Sequence, residues 1–151
     1  MPKRFVVPVR ISALALAGAA ALALSGCAVV DELVYHQRSS SHESVAGVPD
    51  SSPANAVWVP DDSRSIRVTE STRSDAPTAV ILLTSSAPLD PQVCTEVDRR
   101  SAPSYTIDGA PDVYKASTVF ACGEWSVVPS EDGWFGWTPN HPDEQEQAPV
   151  G

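Results

Sequence analysis

The chain has 151 residues, 42% of them hydrophobic, and a net charge of −9. Length leaves room for one small domain with flexible ends. Excess negative charge, with no Lys/Arg cluster outside the first ten residues, excludes nucleic-acid binding through the phosphate backbone and adhesion to anionic headgroups by charge.

Lys3, Arg4 and Arg10 form a positive N-terminal region, and Ile11–Leu24 is an uncharged Ala/Leu-rich stretch of 14 residues. That length suits the apolar region of a signal peptide and falls short of the roughly 20 residues a spanning helix needs. Leu24-Ser25-Gly26-Cys27 follows, and this resembles the lipobox of bacterial lipoproteins at all four positions. The resemblance implies cleavage before Cys27, diacylglyceryl transfer to its thiol and fatty acyl chains such as palmitate. The expected location is therefore the cell membrane, lipid-anchored on the extracytoplasmic face. Removal of residues 1–26 leaves 7 basic and 19 acidic side chains, a net charge of −12. Two acyl chains anchor stably where one gives only reversible binding.

Residues 27–56 read as the lipidated cysteine and a flexible tether, because Arg38–Pro53 is polar and contains six serines. Such a segment of about 30 residues spans about 30 Å root-mean-square. The folded domain is expected over 57–140. Ser65–Glu70 alternates polar and apolar residues, which predicts a half-buried strand. Thr78–Thr84 is apolar and β-branched between turn residues, which predicts a fully buried strand. Asp90-Pro91 can start a helical turn. Ser117–Ala121 reads as a strand. Glu124–Val128 and Trp134–Thr138 read as a hairpin about a five-residue turn, Pro129–Gly133. Residues 141–151 are acidic, contain proline and read as a disordered tail. The fold class expected is mainly β, a small antiparallel sheet or partly open barrel, stapled by a disulfide. Cys94 and Cys122 are the pair available for it: Cys27 is taken by lipid, and an even pair in an exported protein is usually bridged.

Three of the four tryptophans lie in Trp125–Trp137. Alternation places Trp125 and Val127 on one face, Ser126 and Val128 on the other, and Phe135 with Trp137 opposite Trp134. The tryptophans are read as core and hairpin pairs. The alternative is a ligand platform of Trp134 and Trp137, and Trp125 is expected in the core with Trp137 partly reachable from solvent. The Cys122-Gly123-Glu124-Trp125 strand followed by Gly133-Trp134-Phe135-Gly136-Trp137-Thr138-Pro139-Asn140 resembles the ends of small lipoproteins of high-GC Gram-positive bacteria. Trp125–Trp137 is also similar to the closing hairpin of bacterial Src-homology-three-type barrels, which implies a barrel and cell-wall peptide binding.

No catalytic residue, cofactor or metal site is expected. His36, His42 and His141 lack metal-ligand spacing, Asp61-Asp62 lacks the alternating oxygens of a calcium loop, and Ser85-Ser86 lacks a nucleophile-elbow context. The function expected is a non-catalytic binding or structural module of the cell envelope, its partner an envelope protein or a cell-wall glycan or peptide. The alternative is a small cell-wall-directed hydrolase or an inhibitor of an exported enzyme.

Overall fold

A computed structural model describes residues 35–149. The described residues form seven strands and one short α-helix: β1 (Gln37–Ser44), β2 (Arg64–Ser71), β3 (Ala79–Thr84), β4 (Thr95–Asp98), β5 (Thr118–Cys122), β6 (Trp125–Ser130), β7 (Gly133–Thr138) and α1 (Pro142–Gln145). The strands make one sheet in the order β1-β2-β3-β7-β6-β5-β4, every neighbouring pair antiparallel. The sheet is open, with β1 and β4 as its edges.

The interior strand β3, beside the central β7, is buried from Ala79 to Leu83. A strand apolar on both sides needs cover on both sides, and the connections supply it. On the first face Ile66, Val68, Ile81, Leu83 and Val127 pack under Trp58 and Leu89. These last two come from the β1–β2 and β3–β4 connections. On the second face Val80, Leu82, Val128, Phe135 and Trp137 pack under Val113, with Tyr105 and Ile107 beside it. All three belong to the β4–β5 connection. Each fully buried aliphatic side chain contributes about 1.5–3 kcal/mol, so β3 with its four large aliphatics and β7 with Phe135 and Trp137 carry much of the core. Arg99 ties down the second cover: its Nε donates to Ala116 O at 3.0 Å, its Nη1 to Ser101 O at 3.0 Å, and its guanidinium lies 5.5 Å from the Tyr114 ring centroid.

Gly136 faces the first layer, where Trp58 rests directly on the sheet. A Cβ at Gly136 would lie 2.5 Å from Trp58 Cζ2, so only glycine lets this indole sit down. The β5–β6 hairpin turns through Gly123 and Glu124, with Cys122 paired to Trp125 and Gly123 at φ +60°. Glycine first with positive φ is the pattern of the type II′ turn, whose twist matches its strands.

All five expected strands are present: Ser65–Glu70 lies within β2, Thr78–Thr84 gives β3, and the hairpin strands give β6 and β7. Ser117–Ala121 corresponds to β5, and the peptide at Asp90-Pro91 forms a turn closed by Val93 N to Asp90 O at 3.0 Å. The hairpin turn is shorter than expected. Ser130 pairs with Gly133, so Glu131 and Asp132 alone form it, and Pro129 belongs to β6.

Two boundaries are corrected. Within the expected tether 27–56, residues 37–44 form β1 and pair with β2 from Gln37↔Ser71 to Ser44↔Arg64. Val45, Val48, Ala54 and Ala56 then pack on the first face. The serines misled because an edge strand contributes backbone hydrogen bonds and keeps polar side chains in solvent. The expected tail 141–151 likewise holds α1, and Ala148 packs against the second face.

Candidate functional site

A groove of about 670 Å³ crosses one end of the sheet, where β2 and β7 finish and β3 and β6 begin. Trp125 and the three prolines Pro53, Pro77 and Pro139 line it, with Asp50, Glu70 and Glu124 among its acidic groups. No basic side chain lines it among the described residues. Trp125 is half-buried. Its ring leans on Trp58, with centroids 5.7 Å apart and planes inclined at 55°. The chain that positions it is held from behind. Asn140 Nδ2 donates to Gly123 O at 3.0 Å and to Trp125 O at 3.1 Å, and Thr138 Oγ1 donates to Glu124 O at 3.0 Å. Glu70 is paired with Arg38 at 3.3 Å. The carboxylates of Asp50 and Glu124 have no cationic partner among the described residues. Arg73, on the β2–β3 connection, is held by Asp75 through two hydrogen bonds, at 3.1 and 2.8 Å. The groove thus offers an aromatic surface and negative potential, with the neighbouring cations already matched.

A second polar feature is internal. Glu144 on α1 is fully buried. Its Oε1 accepts from the backbone N–H of Arg100 at 2.5 Å and of Ser101 at 2.9 Å. Its Oε2 accepts from Ser101 Oγ at 2.5 Å, Ser126 Oγ at 2.9 Å and His141 N at 2.9 Å. Trp137 Nε1 donates to the same Ser101 Oγ at 2.9 Å. Burial alone raises a carboxyl pKa, but the hydrogen bonds from Ser101, Arg100, His141 and Ser126 outweigh it and hold Glu144 below the ordinary 4.5. Pro142 opens the helix, and His141 Nδ1 accepts from Asp143 N at 3.1 Å, while Glu144 returns the bond to His141 N. The arrangement pins the C-terminal segment to the β4–β5 connection and to β6. It is enclosed: Glu144 and Ser126 are both fully buried.

Cys27 lies outside the described residues. Cys94 and Cys122 are bonded, S–S 2.08 Å, across the β4–β5 pair and within the first-face core. Trp134 and Trp137 lie on opposite faces and form no shared platform. Trp134 is half-buried, donates Nε1 to Ala87 O at 3.0 Å and meets Phe120 edge-on at 5.8 Å. Trp137 is 1% exposed. This reverses the expected assignment: Trp137 is core, and Trp125 is half-buried and reached by solvent. The alternation was right, but the second face is covered by the 99–117 connection, which irregular sequence rich in proline did not announce. His36 precedes β1 with a φ of 51°, His42 lies 3.3 Å from Ser40 Oγ, and His141 caps α1. Asp62 accepts hydrogen bonds from the hydroxyls of Ser85 and Ser86 and from Ser86 N, which lower its pKa and join the β1–β2 and β3–β4 connections. No group of three or more His, Cys, Asp or Glu is placed to hold a metal ion among the described residues.

The groove was missed in sequence because Asp50–Ala56, one of its walls, was assigned to the tether. The signal present was Trp125 itself, the first residue of β6 beside an acidic turn, and hence at a sheet end rather than mid-strand. Comparison with protein-family models, with curated proteins and with solved structures finds no match.

Proposed function

We propose that this chain is a lipid-anchored lipoprotein on the extracytoplasmic face of the cell membrane. In this reading it acts as a non-catalytic binding module of the envelope, and the Trp125 groove is its contact surface. The leader and Leu24-Ser25-Gly26-Cys27 support the anchor, and the groove carries the binding reading. A half-buried indole costs hydration unless something covers it, and a concave apolar floor with a polar rim is the usual form of a recognition site. Glu144, the most heavily hydrogen-bonded carboxylate, is sealed in the fold, so the strongest polar cluster serves stability rather than catalysis.

Both halves are testable in one strain. Metabolic labelling with an alkyne fatty acid should mark the protein and fail to mark Cys27→Ala; equal labelling of the two rejects the anchor. A photocrosslinking side chain at Thr138, in the groove, should give an envelope adduct that the same group at Tyr114, on the β4–β5 connection, does not. Identical patterns at the two positions, or none at Thr138, reject the groove as the contact surface.

A further inference from the structure

We infer that the groove takes a cationic stretch of extended polypeptide, with an arginine or lysine side chain laid against Trp125 and flanked by Asp50 and Glu124. This rests on the binding reading above and names its ligand.

Charge complementarity is the first reason. Three carboxylates line the groove and no base does, while Arg38 and Arg73 nearby are spent on Glu70 and Asp75. An anionic ligand would meet only repulsion there. A neutral one would leave the unpaired acids of Asp50 and Glu124 unused. The second reason is the indole. A cation within about 6 Å of a tryptophan face is attracted by its quadrupole, the more so when partly desolvated. Trp125 is fixed for that role by Trp58 behind it and by Asn140 beneath its backbone.

The dimensions select an extended chain. The groove runs from Glu70 on β2, across β3 and β7, to Glu124 beside β6. Three steps between neighbouring strands at about 4.8 Å make about 14 Å, which is about four residues at 3.3 Å each. Pro53, Pro77 and Pro139 make the floor apolar and stiff, so little order has to be imposed when a ligand binds. Asp50 and Glu124, the two lining carboxylates with no cationic partner among the described residues, suit a ligand with two basic residues, while Glu70 is already matched by Arg38.

The probe follows from this. The full chain, purified in a non-ionic detergent, is titrated by calorimetry with an end-capped tetrapeptide bearing arginine at both ends and proline at the two centres. Its counterparts carry glutamine or glutamate at the ends. The arginine peptide should bind saturably, roughly tenfold or more tighter than the glutamine peptide, while the glutamate peptide should show no binding. Raising salt from about 0.05 to about 0.5 M should weaken the arginine peptide several-fold. Trp125→Ala should abolish the heat, and the double variant D50N/E124Q should lose roughly tenfold in affinity with an unchanged melting curve. Equal, salt-insensitive binding of the arginine and glutamine peptides, still lost in Trp125→Ala, overturns the cationic ligand and leaves the groove a binding site. Binding of a chitin oligosaccharide that needs Trp125, with no binding of the arginine peptide, does the same in favour of a glycan. No saturable binding of any probe overturns the inference, and if Thr138 also gives no crosslink the binding reading falls with it.

Discussion

Removing the buried carboxylate by Glu144→Ala strands five donors: the N–H groups of Arg100, Ser101 and His141 and the hydroxyls of Ser101 and Ser126. A hydrogen bond to a charged group is worth about 1.5–3 kcal/mol, so a plain sum would exceed the stability of most domains of this size. Relaxation reduces it. The three backbone donors sit at a loop and a helix start and regain water once α1 lifts away, and Ser101 Oγ lies 3.3 Å from Ser126 Oγ, close enough to bond it. The expected cost is therefore on the order of 3–5 kcal/mol, that of one or two buried donors left unsatisfied at about 1–3 kcal/mol each. Glu144→Gln should recover little, because its amide nitrogen must face either two backbone donors or the serine and His141 donors. Urea melts followed by tryptophan emission measure this as a lower midpoint at an unchanged slope. The pH dependence is a second reading. The folded pKa lies below the unfolded 4.5, so the contribution is complete above about pH 4.5 and disappears as pH falls through the folded value. The gap between parent and Glu144→Ala should narrow over that window. A Glu144→Ala midpoint within about 0.5 kcal/mol of the parent, or a gap constant with pH, refutes the reasoning.

Trp137→Ala should cost about 3–5 kcal/mol as a buried large-to-small change, and Trp125→Ala about 1–2 kcal/mol as a half-buried one; denaturant melts of the pair decide, and the opposite order refutes the facing seen here. Gly136→Ala drives a methyl group into Trp58 and should cost about 1–3 kcal/mol by overpacking, with a changed near-ultraviolet dichroism; parental stability would show that Trp58 does not rest on the sheet. Replacing Cys94 and Cys122 together by serine should remove about 3–4 kcal/mol for a closure across 28 residues, and denatured, unreduced protein should show no alkylation at either cysteine.

Sequence pattern exposed the middle of the sheet and concealed its margins. β3 is legible because five consecutive buried residues leave a short chain no other solution, and β6 and β7 because aromatics alternate about a turn. β1 is not legible, since nothing in Gln37–Ser44 but its backbone pairing marks it as a strand. β4 is four residues with only Val97 buried, too short to show a period. α1 hides for another reason: Glu144 reads as solvent-seeking, and only the convergence of donors from two distant segments and its own helix cap makes it an interior residue. For the site, the bridge at Cys94 and Cys122 was readable from the cysteine count. The relative exposure of Trp125 and Trp137 was not, because alternation assigns residues to faces but does not say how fully a loop will cover each.

The pairing of Gln37 with Ser71 has a consequence for reach. Ser71 lines the groove, so the chain enters the domain at the groove's own end. Only residues 28–36 separate Cys27 from β1, a length of chain that can span at most about 32 Å. With Cys27 acylated as proposed, the groove is confined to a half-sphere of that radius above the bilayer. One binding site in such a volume corresponds to a local concentration in the millimolar range for any ligand fixed to the same patch of membrane. A groove of modest intrinsic affinity would then be occupied by a neighbour on the same surface, while a freely diffusing ligand of the same chemistry would pass it by.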